Sequence, residues 1–139
     1  MTGVHGIFHT ASPIDFSLTT YDEFITIAVK GTNGIFESAL KAGPQLESLV
    51  VTSSLAAVAN SGVEPGYVFT EKDFARTAFD KATSDYAQGI NSPAGVLYAA
   101  SKTAAERAVW EFRDKHNVSC ISRVQIATII YVLQQLTLF

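Results

Sequence analysis

Cysteine is nearly absent from this 139-residue chain: Cys120 is the only one, so no internal disulfide can staple it. A lone thiol in an apolar, strand-like stretch reads as a small buried side chain in a reducing, cytoplasmic setting. Charge is also scarce. Charged residues make up 17% of the chain and the net charge is −3, which leaves no basic face for phosphates and argues against a nucleic-acid partner. Residues 1–15 lack the basic start and long apolar core of a signal peptide. The most apolar stretch, residues 126–139, is broken by Thr128, Gln134, Gln135 and Thr137. It falls short of the roughly 20 apolar residues of a spanning helix, so no membrane partner is expected. No repeat or low-complexity run is visible. What remains is a hydrophobic content of 47%, the composition of one soluble, core-forming domain.

The opening Gly3-Val4-His5-Gly6-Ile7-Phe8-His9-Thr10-Ala11 reads as a strand, and Ser12-Pro13 ends it because proline has no N–H to give a sheet. A helix is expected over residues 21–42, capped by Thr19 or Thr20, with Asp22 and Glu23 at its positive end. Its inward stripe would be Phe24, Ile27, Ala28, Ile35, Ala39 and Leu40. Gly31 and Gly34 would weaken the middle by about 1 kcal/mol each, in exchange for close packing or a bend. Gly43-Pro44 is the stop. Residues 48–53 are continuous and β-branched, as a strand buried on both faces should be. Residues 59–94 read as a long, mostly irregular segment with one helical turn at 71–76. A second helix is expected over 93–115, followed by a strand over 118–124. Strands separated by helices argue a parallel sheet with helical crossovers, an α/β doubly wound fold.

Three features fall at strand ends or on a helix start, where such folds place their sites: Thr10-Ala11-Ser12-Pro13, Thr52-Ser53-Ser54, and Tyr98-Ala99-Ala100-Ser101-Lys102. Tyr98 and Lys102 share a helix face, about 6 Å apart along the axis. An ammonium near a phenol, whose ordinary pKa is about 10, favours the phenolate. Such a pair can give a proton to a carbonyl oxygen or take one from an alcohol, and Ser54 could hydrogen-bond the same oxygen. Each motif alone is common; their order is more specific. His5 and His9 are four residues apart on a strand with no third ligand, so no metal is expected. Glu106 and Arg107 read as a solvated helix face, and Trp110 and Phe112 as packing.

With these residues in that order, the chain resembles an extended short-chain dehydrogenase/reductase. More narrowly, it is similar to the branch of dihydroflavonol reductases, cinnamoyl-CoA reductases and fungal aldehyde, ketone and methylglyoxal reductases. Further matching stretches are Val29-Lys30-Gly31-Thr32, Val51-Thr52-Ser53-Ser54, Thr70-Glu71-Lys72-Asp73 and Thr103-Ala104-Ala105-Glu106. The resemblance implies that Tyr98 is the acid/base, Lys102 its tuning residue and a ribose ligand, and Ser54 the serine that orients the carbonyl, with Ser53 the less favoured alternative. It implies that Thr10, Ala11 and Ser12 run beside the cofactor's ribose and diphosphate, and that Thr52 and Ser53 lie near the nicotinamide. It also implies NADP(H) more often than NAD(H), and a small-molecule carbonyl or alcohol as substrate.

The family's Gly-x-x-Gly-x-x-Gly loop, which lets backbone approach the pyrophosphate at a helix N-terminus, has no counterpart here. Gly31-Thr32-Asn33-Gly34 has the wrong setting. The expectation is therefore a partial NAD(P)-binding Rossmann-like domain over residues 1–124, lacking the first βαβ segment and the C-terminal substrate domain, with an atypical apolar tail over 125–139. A bare edge on the first strand would then favour self-association. Two alternatives stay open: a non-catalytic interaction module of the same fold, and an NAD-dependent epimerase or dehydratase.

Overall fold

The structure is a computed structural model. It describes residues 3–12, 14–42, 45–59, 62–70 and 72–116, and the backbone of 121–124. Pro13, Gly43-Pro44, Glu71, Cys120 and the 125–139 tail lie outside these residues. Strand β1 (Gly6–His9) leads to helix α1 (Ile27–Leu40), which a π-helical turn, Asp22–Thr26, precedes. Strand β2 (Ser48–Thr52), a short 3₁₀ turn (Leu55–Ala57), helices α2 (Arg76–Ala87) and α3 (Ala94–His116), and strand β3 (Ile121–Val124) follow. The strands form one parallel sheet in the order β1-β2-β3. Ile7 pairs with Leu49 and His9 with Val51, while Leu49 pairs with Ile121 and Val51 with Arg123.

Parallel strands in sequential order, joined by right-handed crossovers, put their helices on one side of the sheet. Helices α1 and α3 accordingly pack together, with Phe36 and Phe112 stacked at 4.6 Å. One core lies between them and the sheet: Ile7, Phe36, Ala39, Leu49, Val51 and Val109. A second joins the π turn, α2 and the first half of α3: Phe24, Ile25, Ala82, Leu97, Ala100 and Ala104. Helix α3 therefore belongs to both cores.

Several sequence expectations need correction. Ile27 and Leu40 do not face inward; they are 54% and 50% exposed, and Thr32 and Phe36 are buried instead. The π turn takes up one extra residue, so a 3.6-residue period counted from Phe24 reaches Ile27 one position before the buried Ala28. Gly31 and Gly34 pack against nothing, since a Cβ at either would meet open space. Strand β2 buries Leu49 and Val51, whereas Val50 and Thr52 on its other face are only half-buried. The 59–94 segment is mostly irregular, but its helix is not one turn at 71–76: it is α2, twelve residues long, over Arg76–Ala87. Its inward stripe is mostly alanine (Ala75, Ala78 and Ala82, beside Phe79), a faint hydrophobic signal, and Thr77, Thr83 and Ser84 are only moderate helix formers. Gly89, at φ 71°, ends it in a Schellman arrangement: Gly89 N–H donates to Tyr86 O and Ile90 N–H to Asp85 O, at 3.0 and 2.8 Å. The expected cap of the first helix is present as a reciprocal pair. Thr20 N–H donates to Glu23 Oε2 at 3.0 Å, and Glu23 N–H to Thr20 Oγ1 at 3.3 Å.

Candidate active site

The carboxyl ends of β1 and β2 meet the middle of α3, at the seam between the two cores. A pocket there is lined by polar groups from all three elements: His9, Ser12, Thr52, Ser53, Lys102 and Glu106, with Ala11 at its edge. Alternation along each strand explains who points in. His9 follows Ile7 onto the helix side of β1, and Ser53 follows Val51 beyond the end of β2. On α3, Lys102 and Glu106 are four residues apart and so share one face.

Lys102 is only 7% exposed, and burial pushes its pKa below the usual lysine value. Among the described residues its ammonium makes no hydrogen bond or ion pair; it stands 5.9 Å from the centre of the Tyr98 ring. His9 is also buried. Burial, and secondarily the Lys102 charge, holds its imidazole below the ordinary histidine range. Ser53 Oγ donates to Glu106 Oε2 at 2.6 Å, with both residues buried.

Of the residues singled out in the sequence, the pocket gathers Ala11, Ser12, Thr52, Ser53 and Lys102. Thr10, Ser54 and Tyr98 are not on its wall. Thr10 is exposed. Tyr98 is half-buried beside Lys102, and its ring packs against Phe16 at 5.7 Å. Ser54 has an extended backbone (φ −150°, ψ 154°), and its Oγ accepts from Ala56 N–H at 3.2 Å, at the start of the 3₁₀ turn. That turn is tied to the segment before α2: Ala75 N–H donates to Ala57 O at 2.7 Å, while Thr103 Oγ1, which donates to Ala99 O at 3.0 Å, lies 3.5 Å from the same Ala57 oxygen.

The reading of Glu106 and Arg107 as a solvated face is wrong. Glu106 is 4% exposed, and the Arg107 guanidinium lies 4.3 Å over the Phe79 ring, joining α3 to α2. The sequence carries a signal for Glu106, which falls at i+4 from Lys102 and i+8 from Tyr98, on the same helix stripe. His9 lacks a third metal ligand in the sequence, and its position two residues after Ile7 on β1 aims it at the pocket. Among the described residues no group of three His, Cys, Asp or Glu side chains is placed to hold a metal, and no helix is long and apolar enough to cross a membrane. Asp73 organises the loop before α2: it accepts from Tyr67 Oη at 2.6 Å and from Thr70 N–H at 2.7 Å.

This α/β arrangement matches known reductases. The chain is 36% identical over 123 residues to a cinnamoyl-CoA reductase of Medicago truncatula, covering 86% of this chain and 34% of that protein. It is 32% identical over 130 residues to the NADPH-dependent methylglyoxal reductase of Saccharomyces cerevisiae, covering 91% and 36%. The crystal structure of the yeast methylglyoxal/isovaleraldehyde reductase complexed with NADPH superposes with a TM-score of 0.69 at 29% identity, over 89% of this chain and 35% of that one. The chain thus spans about a third of the length of the curated relatives it matches, and its small parallel sheet corresponds to part of their Rossmann fold. The NAD-binding family described as male sterility protein matches residues 1–132, and the chain belongs to that family, within the extended short-chain dehydrogenase/reductases.

Proposed function

We propose that this chain carries the reaction centre of an NADPH-dependent carbonyl reductase, acting on a small aldehyde or ketone or on the corresponding alcohol. The observation that carries the reading is Lys102: a buried ammonium with no hydrogen bond or ion pair among the described residues, in a pocket that also presents the hydroxyls of Ser12, Thr52 and Ser53. An ammonium held in that way is costly until a polar ligand arrives. The hydroxyls of a nucleotide ribose are such a ligand, so the donor set fits a nicotinamide nucleotide. Lys102, Thr10, Ala11, Ser12, Thr52 and Ser53 would hold its ribose and nicotinamide end. When bound, the nicotinamide supplies the hydride.

The chain's own residues do the rest. Tyr98, one helical turn before Lys102, gives its hydroxyl proton to the carbonyl oxygen, and takes it back in the alcohol direction. The Ser54 hydroxyl hydrogen-bonds the same oxygen and holds the carbonyl in line. NADPH is favoured over NADH because a relative covering most of this chain is named as NADPH-dependent. In this reading residues 1–124 form part of a doubly wound NAD(P)-binding domain, residues 125–139 are a separate apolar tail, and the exposed edge of β1 is a route to self-association.

Binding of NADPH and NADH to the purified chain, followed by nicotinamide fluorescence, tests the proposal. NADPH should bind the more tightly, and Lys102→Ala should weaken it at least about tenfold, as loss of a charged hydrogen-bond donor does. Tyr98→Phe should keep the binding and lose carbonyl reduction by about 10²–10⁴-fold. No binding at millimolar cofactor would overturn the reading and leave the non-catalytic module.

A further inference from the structure

We propose that Glu106 is a positioning residue, which sets the Ser53-Ser54 pair against Tyr98 and Lys102 through its buried hydrogen bond to Ser53. The inference rests on the reductase reading for its consequence, but on geometry for its substance. Tyr98, Lys102 and Glu106 recur at i, i+4 and i+8 on α3, so one helix face carries all three. The first two sit where chemistry is proposed. The third reaches across to the end of β2, where Ser53 Oγ donates to Glu106 Oε2 at 2.6 Å over a sequence separation of 53 residues.

A carboxyl group that is 4% exposed contributes nothing to packing that an apolar side chain would not do better, and its burial requires polar partners. The Ser53 bond is one partner, and Glu106 has a further interaction besides it. What the bond adds is direction. Consecutive side chains on extended backbone point to opposite sides, and Ser54 has extended backbone. Pinning Ser53 to α3 therefore also fixes the direction in which the next side chain, Ser54, leaves the backbone.

The Ser54 hydroxyl is left suited to its proposed task. Its oxygen accepts from Ala56 N–H, and among the described residues its own hydrogen has no acceptor, so that hydrogen is available to a substrate oxygen. The same helix thus carries the tyrosine and the lysine and, through Glu106, the tie to Ser53 beside Ser54.

The test uses Glu106→Ala, Glu106→Gln, Ser53→Ala and the Ser53→Ala/Glu106→Ala double variant, read first by amide hydrogen exchange. Glu106→Ala should speed exchange at Ala56 and Ala57 by about tenfold or more, the scale of losing a strong buried hydrogen bond, while Phe36 and Ala39 on α1 change far less. Glu106→Gln, whose side-chain carbonyl can still accept from Ser53, should restore most of the protection. The double variant should be no worse at Ala56 than Glu106→Ala, because the two residues act through one bond. Ser53→Ala removes only a hydroxyl and carries the same comparison if Glu106→Ala does not fold.

In turnover assays kcat for the carbonyl should fall about tenfold in Glu106→Ala, with the NADPH Kd within about twofold of the parent, since a misaimed Ser54 affects the carbonyl and not the nucleotide. The proposal is overturned if exchange at residues 54–57 rises no more than at Phe36, or if the glutamine variant behaves like the alanine one. A parent chain without turnover would instead sink the reductase reading, leaving the exchange result to decide the role of Glu106.

Discussion

Ile7 and Phe8 are neighbours on β1, yet Ile7 is 8% exposed and Phe8 69%. The same contrast runs through β2, where Leu49 and Val51 are buried and Val50 and Thr52 are half-buried. Among the described residues, helices cover only the side that Ile7, Leu49 and Val51 face. The reason is handedness: two right-handed crossovers between strands in sequential order must both pass on the same side. The covered side holds the larger apolar side chains and, at the strand ends, the buried polar groups His9, Ser53, Lys102 and Glu106. The candidate site and the core therefore share one side of this sheet, and the helices that line the polar pocket are ones the core already holds in place.

That comparison can be broken most directly with two phenylalanines. Phe36, fully buried between α1, α3 and the sheet, should lose about 3–5 kcal/mol on change to alanine, measured by equilibrium urea unfolding. A similar loss from Phe8→Ala would mean that the other side is covered as well, and the contrast would fail.

Next in size is the buried ammonium. Lys102→Met keeps the length of the side chain and removes the charge from an enclosed site. Unfolding free energy without cofactor should stay level or rise by up to about 2 kcal/mol, while NADPH affinity is lost. A large loss of stability would show that Lys102 has a partner that supports the fold.

Smaller again is Phe8→Thr, expected to change stability by no more than about 0.5 kcal/mol. It should still lower self-association in sedimentation velocity, because it removes an exposed aromatic from an edge strand.

The smallest effect concerns His9, whose folded pKa lies below its ordinary value of 6.5 because of burial and then the Lys102 charge. The unfolded chain takes up this proton first as pH falls. Stability is therefore lost as pH drops below about 6.5 towards the lowered folded value, and is level above 6.5. The melting temperature of the parent should fall more steeply than that of His9→Gln across this window; parallel curves would remove His9 from the account.

Much of this organisation was legible along the chain. β-Branched runs, Gly-Pro stops and the Thr20–Glu23 pair announced the strands and the first helix, since they depend on neighbours three or four residues away. Tyr98 and Lys102 were legible for the same reason, as was the end of the first strand at Ala11-Ser12. Helix α2 was missed because its inward stripe is mostly alanine, which separates weakly from solvent-facing positions. Ile27 falls one position before the buried Ala28 because a π turn shifts the phase of the helix, and no local pattern announces that shift.

The parallel α/β order, the family and the pairing of a tyrosine with a lysine on one helix can be read along the chain. That Glu106 is buried, and that His9 and Ser53 meet Lys102 in one pocket, follows from packing alone. Local periodicity says which residues share a face of an element, but not which faces meet. The partner of Glu106 lies 53 residues away along the chain, and only the stacking of α3 on the sheet brings it within a hydrogen bond.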